Sequence, residues 1–444
     1  MELGTCVSAF YQMLLELSSA FTRPTAETFR QLAVAWLLTP GVGPVTGMTR
    51  TLGAAATKHW TAYQKFFYRA SWTADDVARQ VLVRLVAPLL GSTVDLNIDD
   101  TTCGPRGRHT ALAGWFKDAS AHARTQVIHW AHQWVLGAIT LRLKRWPGRR
   151  LALPVAFALY RKRADCDPAH PYATIPQLAL RLVRQVAEAL PGKRLFVAVD
   201  GLYAVRAFFG NLPPGVVAVS RLRKDAALRT AEVPKRRGTG GGRRRLRGDR
   251  LPPLSEIFQA VRSWRRVTLQ KQGRRVHRLL YGFTCQWYHV CRQRPVRVVL
   301  VRDPSGVEDD VPSVCSDPTV PDAAIAQRAA DRWGIEECIE EAKQHLGMEK
   351  TRGVCAHSVE RQAPLAMLLA ALVKLWYVAH AADRPSLAPA ALPWYPHKRG
   401  TSFRDMLAAW RRVFWRHRVF DNSLHGSEFH KAFEALAYAL CEAA

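Results

Sequence analysis

Arg332, Glu336 and Lys343 recur at i, i+4 and i+11 in a stretch whose apolar residues Ile335, Ile339, Ala342 and Leu346 mark it as a helix with one core-facing stripe. At about 100° per residue, the three charged positions fall within roughly 40° of one another on a flank of that stripe. One carboxylate therefore stands between two cations. A surface salt-bridge ladder has the same pattern, so the chemistry of this face depends on what the rest of the chain brings to it. The other acids of the helix, Glu337, Glu340 and Glu341, are expected on the far, solvated side.

Two further acids close strands. Val94, Leu96 and Ile98 alternate with polar residues up to Asp99, and the uninterrupted apolar run Leu195 to Val199, the mark of a central strand covered on both faces, ends in Asp200. Strand ends on one edge of a sheet bring Asp99 and Asp200 together, and an adjoining helix brings up Glu336. Three close carboxylates repel and need cations between them. Two divalent ions about 3.5 to 4 Å apart meet that need, with Mg²⁺ the natural choice and Mn²⁺ able to substitute. The chemistry would be activation of a water or a 3′-hydroxyl for in-line attack on a phosphodiester. Strand alternation puts Asp99 on the face opposite Val94, Leu96 and Ile98 and Asp100 on the same face as them, so Asp99 is the first choice and Asp100 the second. His129 and His132 flank Trp130 without a third ligand, and a structural role is favoured over a metal pair.

The elements that must position these groups follow from periodicity. Residues 1–90 read as a helical, DNA-binding N-terminal domain: a helix from about Thr25, a break at 40–44, a short helix from about Thr46, an aromatic cluster from Trp60 to Trp72, and a helix opened by Thr73. Two helices joined by a Gly-containing turn suit a helix-turn-helix reader as well as a simple packing unit. Residues 91–223 read as the first part of an α/β core, with strands at 94–99, 134–143, 151–160, 195–199 and 216–222 and an amphipathic helix at 174–190. Residues 224–300 are expected to form a basic, β-rich insertion. It opens with a Gly-rich run carrying Lys235, Arg236, Arg237, Arg243, Arg244 and Arg245, which lacks a phosphate-binding P-loop pattern and suits a loop that orders on a phosphate backbone. Residues 301–360 return to the core with the Glu336 helix, and 361–444 form a helical C-terminal region.

Composition selects the partner. The 444 residues carry 64 Lys and Arg against 36 acids, a formal charge of +28, and 48% hydrophobic residues. A folded chain with that excess needs a polyanion, and nucleic acid is favoured over a charged membrane surface. Nine scattered cysteines with no CxxC pattern indicate neither disulfides nor structural zinc, and suit reduced thiols in a cytoplasm. The start has no basic region followed by an apolar core, so no secretory signal is expected. Residues 363–382 are long and apolar enough to suggest a membrane span, but Lys374 near their middle favours a buried helix of a soluble protein.

Asp99-Asp100-Thr101-Thr102, then Val197-Ala198-Val199-Asp200-Gly201-Leu202-Tyr203, then Arg332, Glu336 and Lys343 followed by His345-Leu346-Gly347, resemble the DDE transposases of bacterial insertion sequences. More narrowly, they are similar to the group with a Y-x2-R-x3-E-x6-K signature, with Ala329 at the tyrosine position. The resemblance spans roughly residues 20–380. It implies an RNase H-like (retroviral integrase-like) core interrupted by a β-rich insertion, with Asp99, Asp200 and Glu336 as catalytic metal ligands for two Mg²⁺ ions. It also implies a homodimer on double-stranded DNA that recognises terminal inverted repeats, nicks the ends and transfers them into target DNA, with Arg332 and Lys343 on phosphates near the scissile bond. Ala329 argues against the hairpin intermediate of that group. Trp264 and Trp287 are candidates for receiving a flipped base, with ordinary packing favoured. Two other readings remain: a transposase-derived DNA-binding protein without cleavage, and a structure-selective nuclease of the same fold.

Overall fold

The computed structural model describes residues 2–39, 41, 43–104, 107–117, 127–143, 149–233, 246–382, 384–389, 393–396, 398, 400–420 and 426–441. The basic run with Lys235, Arg236, Arg237, Arg243, Arg244 and Arg245, and the turn at Trp146 to Gly148, lie outside them.

Five helices lead: α1 (Glu2–Glu16), α2 (Arg23–Leu38), α3 (Val45–Leu52), α4 (Trp60–Tyr68) and α5 (Ala74–Gln80). Thr73 caps α5, its hydroxyl accepting from the Asp76 amide at 3.1 Å. Beyond α5 the chain continues as a π turn and a 3₁₀ turn up to Leu89 instead of the uniform helix expected there. Then come β1 (Thr93–Cys103), β2 (Gly114–Lys117), β3 (Ile128–Arg142), β4 (Arg150–Tyr160), α6 (Ile175–Ala189), β5 (Arg194–Val199), α7 (Arg206–Phe209) and β6 (Val216–Arg221). The remainder is β7 (Arg229–Thr230), α8 (Leu254–Ala260), β8 (Arg265–Lys271), β9 (Arg274–Gln286), α9 (Tyr288–Cys291), β10 (Pro295–Arg302), β11 (Val311–Cys315), α10 (Asp322–Asp331), α11 (Trp333–Leu346), α12 (Ala356–Trp376), α13 (Phe403–Phe420) and α14 (Ser427–Cys441).

The strands make one mixed sheet in the order β2-β3-β1-β5-β6-β11-β10-β9-β7, with β4 also on β3 and β8 also on β9. β1, β5 and β6 are parallel, while β1, β3 and β4 pair antiparallel. The β-rich stretch after the basic run thus joins the central sheet: β11 pairs with β6 and carries β10 and β9 outward. No sequence pattern gives this, because strand partners are chosen across the chain.

One continuous apolar core joins α1–α5, the sheet, α11, α12 and α13. Arginines from the C-terminal helices fasten the N-terminal ones by donating to backbone carbonyls at helix ends. Arg411 donates to the carbonyls of Leu37 and Thr39 at 2.7 and 3.1 Å, after α2, and Arg418 to those of Thr51 and Leu52 at the end of α3. Arg361 donates to the carbonyls of Phe67, Ala70 and Trp72 at 2.8, 2.7 and 2.6 Å, after α4. Each satisfies carbonyls that a helix end leaves orphaned.

The apolar segment at 363–382 is the core of α12, in a stretch 89% buried inside the protein. Lys374 is buried with it and reaches the Ala152 carbonyl at 3.0 Å and Glu341 at 2.5 Å. Glu341 is therefore not on a solvated face as expected from its helix position. α12 packs over that side of α11, and a buried lysine there requires an anionic partner.

Candidate active site

Glu336 is set by the packing of α11. Ile335, Cys338, Ile339, Ala342 and Leu346 are all buried, as the apolar stripe requires, and Gly347, at φ 66°, supplies the left-handed turn that ends the helix. Arg332 sits at the junction of α10 and α11. Its guanidinium donates to Asp99 Oδ2 and to Glu336 Oε1, each at 2.6 Å. Asp99 and Glu336, 237 positions apart in sequence, are thus joined through one cation. Burial on its own would lower Arg332, but the charges of Asp99, Glu336 and, more weakly, Asp200 outweigh it and hold the group above its ordinary value. Asp200 follows the last residue of β5, and its backbone carbonyl accepts from the Ser220 hydroxyl at 2.9 Å.

Asp99 is not at a strand end. The parallel ladder between β1 and β5 stops at Asn97, but the antiparallel ladder with β3 runs on, pairing Asp99 with Leu136 and Cys103 with His132. The polar run Asp-Asp-Thr-Thr reads as a strand terminus only because its partner strand is not visible locally. Burial pushes the Asp99 carboxyl up to about 6 despite Arg332 beside it, with Asp100 and Glu336 adding to the rise.

The two neighbouring acids separate cleanly. Asp99 turns to Arg332, whereas Asp100 accepts from the Tyr203 hydroxyl at 2.9 Å and from Gln133 Nε2 at 3.1 Å. Tyr203 is fully buried, and that burial pushes its phenol well above the ordinary value, with Asp100 adding. Replacing Tyr203 by Phe removes a donor to a half-buried carboxylate. We expect a stability loss of about 1.5 to 3 kcal/mol by urea denaturation, with unchanged slope.

Sequence reasoning missed the groups that fix Arg332. Asp331, the residue before it, is buried and accepts from Arg142 at 2.7 Å, Arg150 at 3.2 Å and Gln327 at 2.8 Å. Asp95 on β1 accepts from Arg328 at 2.8 Å and also from Arg142. Asn97 donates to Thr140 at 2.7 Å and to the Asp331 carbonyl at 3.3 Å. The start of α11 is thereby locked to β1, β3 and β4. The available signal was Asp95 and Asn97, a polar pair inside an otherwise apolar strand.

Lys343 donates to the Thr102 carbonyl at 2.7 Å, one helical span beyond Glu336 along the same edge of β1. His132 is buried with its ring nitrogen 2.8 Å from the Ala111 carbonyl, a structural contact as expected. Trp287 is buried, and Trp264 donates to the Val261 carbonyl while Arg302 lies over its face at 4.5 Å, so both are packed side chains here. Ala329 lies on α10 against a small second core that includes Ile325 and Leu269.

A model of the DDE superfamily endonucleases matches residues 16–294. The chain belongs to that family. A search of curated proteins finds no match. The matched stretch contains Asp99 and Asp200 and ends before α11, so the place of Glu336 rests on geometry. DDE endonucleases typically use divalent metals and act on DNA. Among the described residues, no three or more His, Cys, Asp and Glu side chains are gathered closely enough to hold an ion. The donor chemistry fits a hard divalent cation nonetheless: Asp99 and Glu336, both carboxylates, converge on the Arg332 guanidinium, which meets their charge here.

Proposed function

We propose that this DDE endonuclease is a cut-and-paste DNA transposase that hydrolyses phosphodiesters at the ends of a mobile element and transfers the freed 3′-hydroxyl into target DNA. The observation that supports the reading is the bridge Asp99–Arg332–Glu336, which joins a carboxylate of β1 to one of α11 through one cation whose electrostatics also feel Asp200. The strand order β4-β3-β1-β5-β6, antiparallel at first and then parallel, supports an RNase H-like core.

In this reading Asp99, Asp200 and Glu336 would hold Mg²⁺, or Mn²⁺ in its place, and the Asp100 amide, which donates to Asp99 Oδ1 at 3.0 Å, keeps that carboxylate aimed. Bound metal supplies activation of the attacking hydroxyl and neutralisation of charge at the scissile phosphate. Arg332 releases its two carboxylates and turns to a phosphate oxygen, where its planar fork suits the anion. Lys343, fixed to the Thr102 carbonyl, places a second cation farther along the same DNA strand. The basic run from Lys235 to Arg245 adds non-specific affinity for the phosphate backbone. The acting species is a homodimer on paired DNA ends in the bacterial cytoplasm.

The test is cleavage of labelled duplex carrying the gene's flanking sequence, with Mg²⁺ or Mn²⁺ and with a supercoiled target plasmid present. The expected result is a nick at an inverted-repeat end followed by joined product. Cleavage that ignores the repeats and follows only DNA shape would replace this reading with a nuclease, and binding with no cleavage in either metal would replace it with a DNA-binding descendant.

A further inference from the structure

The β2–β3 hairpin carries a surface that the carboxylate site does not use. Trp115 is 61% exposed, although it pairs directly with Trp130, whose ring meets it edge-on at 5.6 Å. The indole N–H of Trp130 is shielded from solvent yet has no acceptor among the described residues. Lysines border β2 on both of its faces. Lys162 donates to the Trp115 carbonyl at 2.9 Å and lies 5.0 Å from the Phe116 ring, and Lys117 is exposed at the end of β2. Gly114 makes room for this, since a Cβ there would stand 2.7 Å from the Lys162 side chain.

Register ties the hairpin to the site. Asp99 pairs with Leu136 and Trp115 with Trp130 on the same strand β3, whose pairing runs without a shift between those two positions. An even number of residues separates Trp130 from Leu136, so Trp115 and Asp99 lie on the same face of the sheet. At about 3.3 Å per residue, the ring pair stands roughly 20 Å from Asp99.

We propose that this hairpin is an arm for unpaired DNA, with Trp115 stacking on a base of the strand whose phosphate is held at Asp99 and Lys117, on the same face of β2, contacting its backbone. The inference rests on the DNA-processing reading above and names where the strand leaves the site. An exposed indole flanked by lysines has the chemistry of a sequence-tolerant stacking platform, because every base offers a π-face.

The probe is a single-stranded thymidine oligonucleotide of about twenty residues containing one 2-aminopurine, whose fluorescence falls on stacking. The full chain is expected to quench it, Trp115→Ala to bind at least about tenfold more weakly with quenching lost, and Trp115→Phe to restore most of both. Lys117→Gln should reduce the slope of log affinity against log salt by about 0.7. Equal binding and quenching by wild type and Trp115→Ala would overturn the arm, as would a Trp115→Phe variant no better than the Ala variant. These readouts need no cleavage. A wild-type protein that cuts duplex ends but shows no Trp115 dependence sinks the arm alone, and one that stacks the probe through Trp115 but never cuts DNA sinks the transposase reading alone.

Discussion

Glu336→Gln is expected to abolish DNA cleavage while leaving DNA binding within about twofold of wild type. The substitution nearly preserves shape, and its amide oxygen can still accept from Arg332, so the 2.6 Å contact that orders the start of α11 has a replacement. What disappears is one negative charge from the proposed metal-binding set. Metal charge stabilisation of a phosphoryl transition state is worth several kcal/mol, and each 1.36 kcal/mol is tenfold in rate, so a loss of at least about a hundredfold is expected. The measurement is single-turnover cleavage of an end-labelled duplex alongside a gel-shift titration of the same DNA. Loss of binding together with cleavage would make Glu336 a folding residue, and undiminished cleavage would remove it from the site. Asp100→Asn offers the contrast. Asp100 is committed to Tyr203 and Gln133, and an amide can keep one of those bonds, so its loss should fall on stability more than on the chemical step.

The site was legible where a local period carries the information. Ile335, Ile339, Ala342 and Leu346 fix the rotation of α11, and that rotation alone sets Arg332 beside Glu336. Asp200 was legible because an apolar run covered on both faces must end somewhere, and its first polar residue marks the edge of the sheet. Asp99 was read as a strand end, and that reading fails. β1 continues past it because β3 supplies a pairing partner, and nothing within residues 94–103 announces that partner. The same limit hid the sheet beyond β6. β9 and β10 fall in the stretch expected to be β-rich, whereas β11 was not read as a strand, and its union with β6 is a choice made by contacts some ninety residues apart. Trp115 escaped notice because a four-residue strand is too short for alternation to show, and its exposure depends on what the fold fails to cover. Asp331 was passed over as one more charge on an amphipathic helix, although the buried acid with Arg142, Arg150 and Gln327 around it fixes the residue that follows.

Lys374→Ala is expected to cost about 3 to 5 kcal/mol of stability, because it leaves the Glu341 carboxylate facing α12 without its cation and strips the Ala152 carbonyl of a donor. Burial alone would lower the Lys374 ammonium, but the Cys338 and Glu341 side chains outweigh it and hold the group above its ordinary value, so the lysine stays charged at neutral pH. Glu341 is partly exposed, at 25% of its side chain, and water can reach it after the truncation, which places the expected loss toward the lower end of that range. The double variant Lys374→Met/Glu341→Met should recover most of the deficit, since two apolar side chains of similar volume need no pairing in this core. Urea denaturation of the wild type, each single variant and the pair closes the cycle, and additive losses would show that the two groups do not act on one another. The pair also links the apolar core to the chemistry. Glu341 lies on α11 five residues after Glu336, and the long helix α12 holds that segment through Lys374. If α12 sets the height of α11 over the sheet, the double variant should fold yet cleave more slowly than wild type, with the deficit in the single-turnover rate and not in DNA affinity.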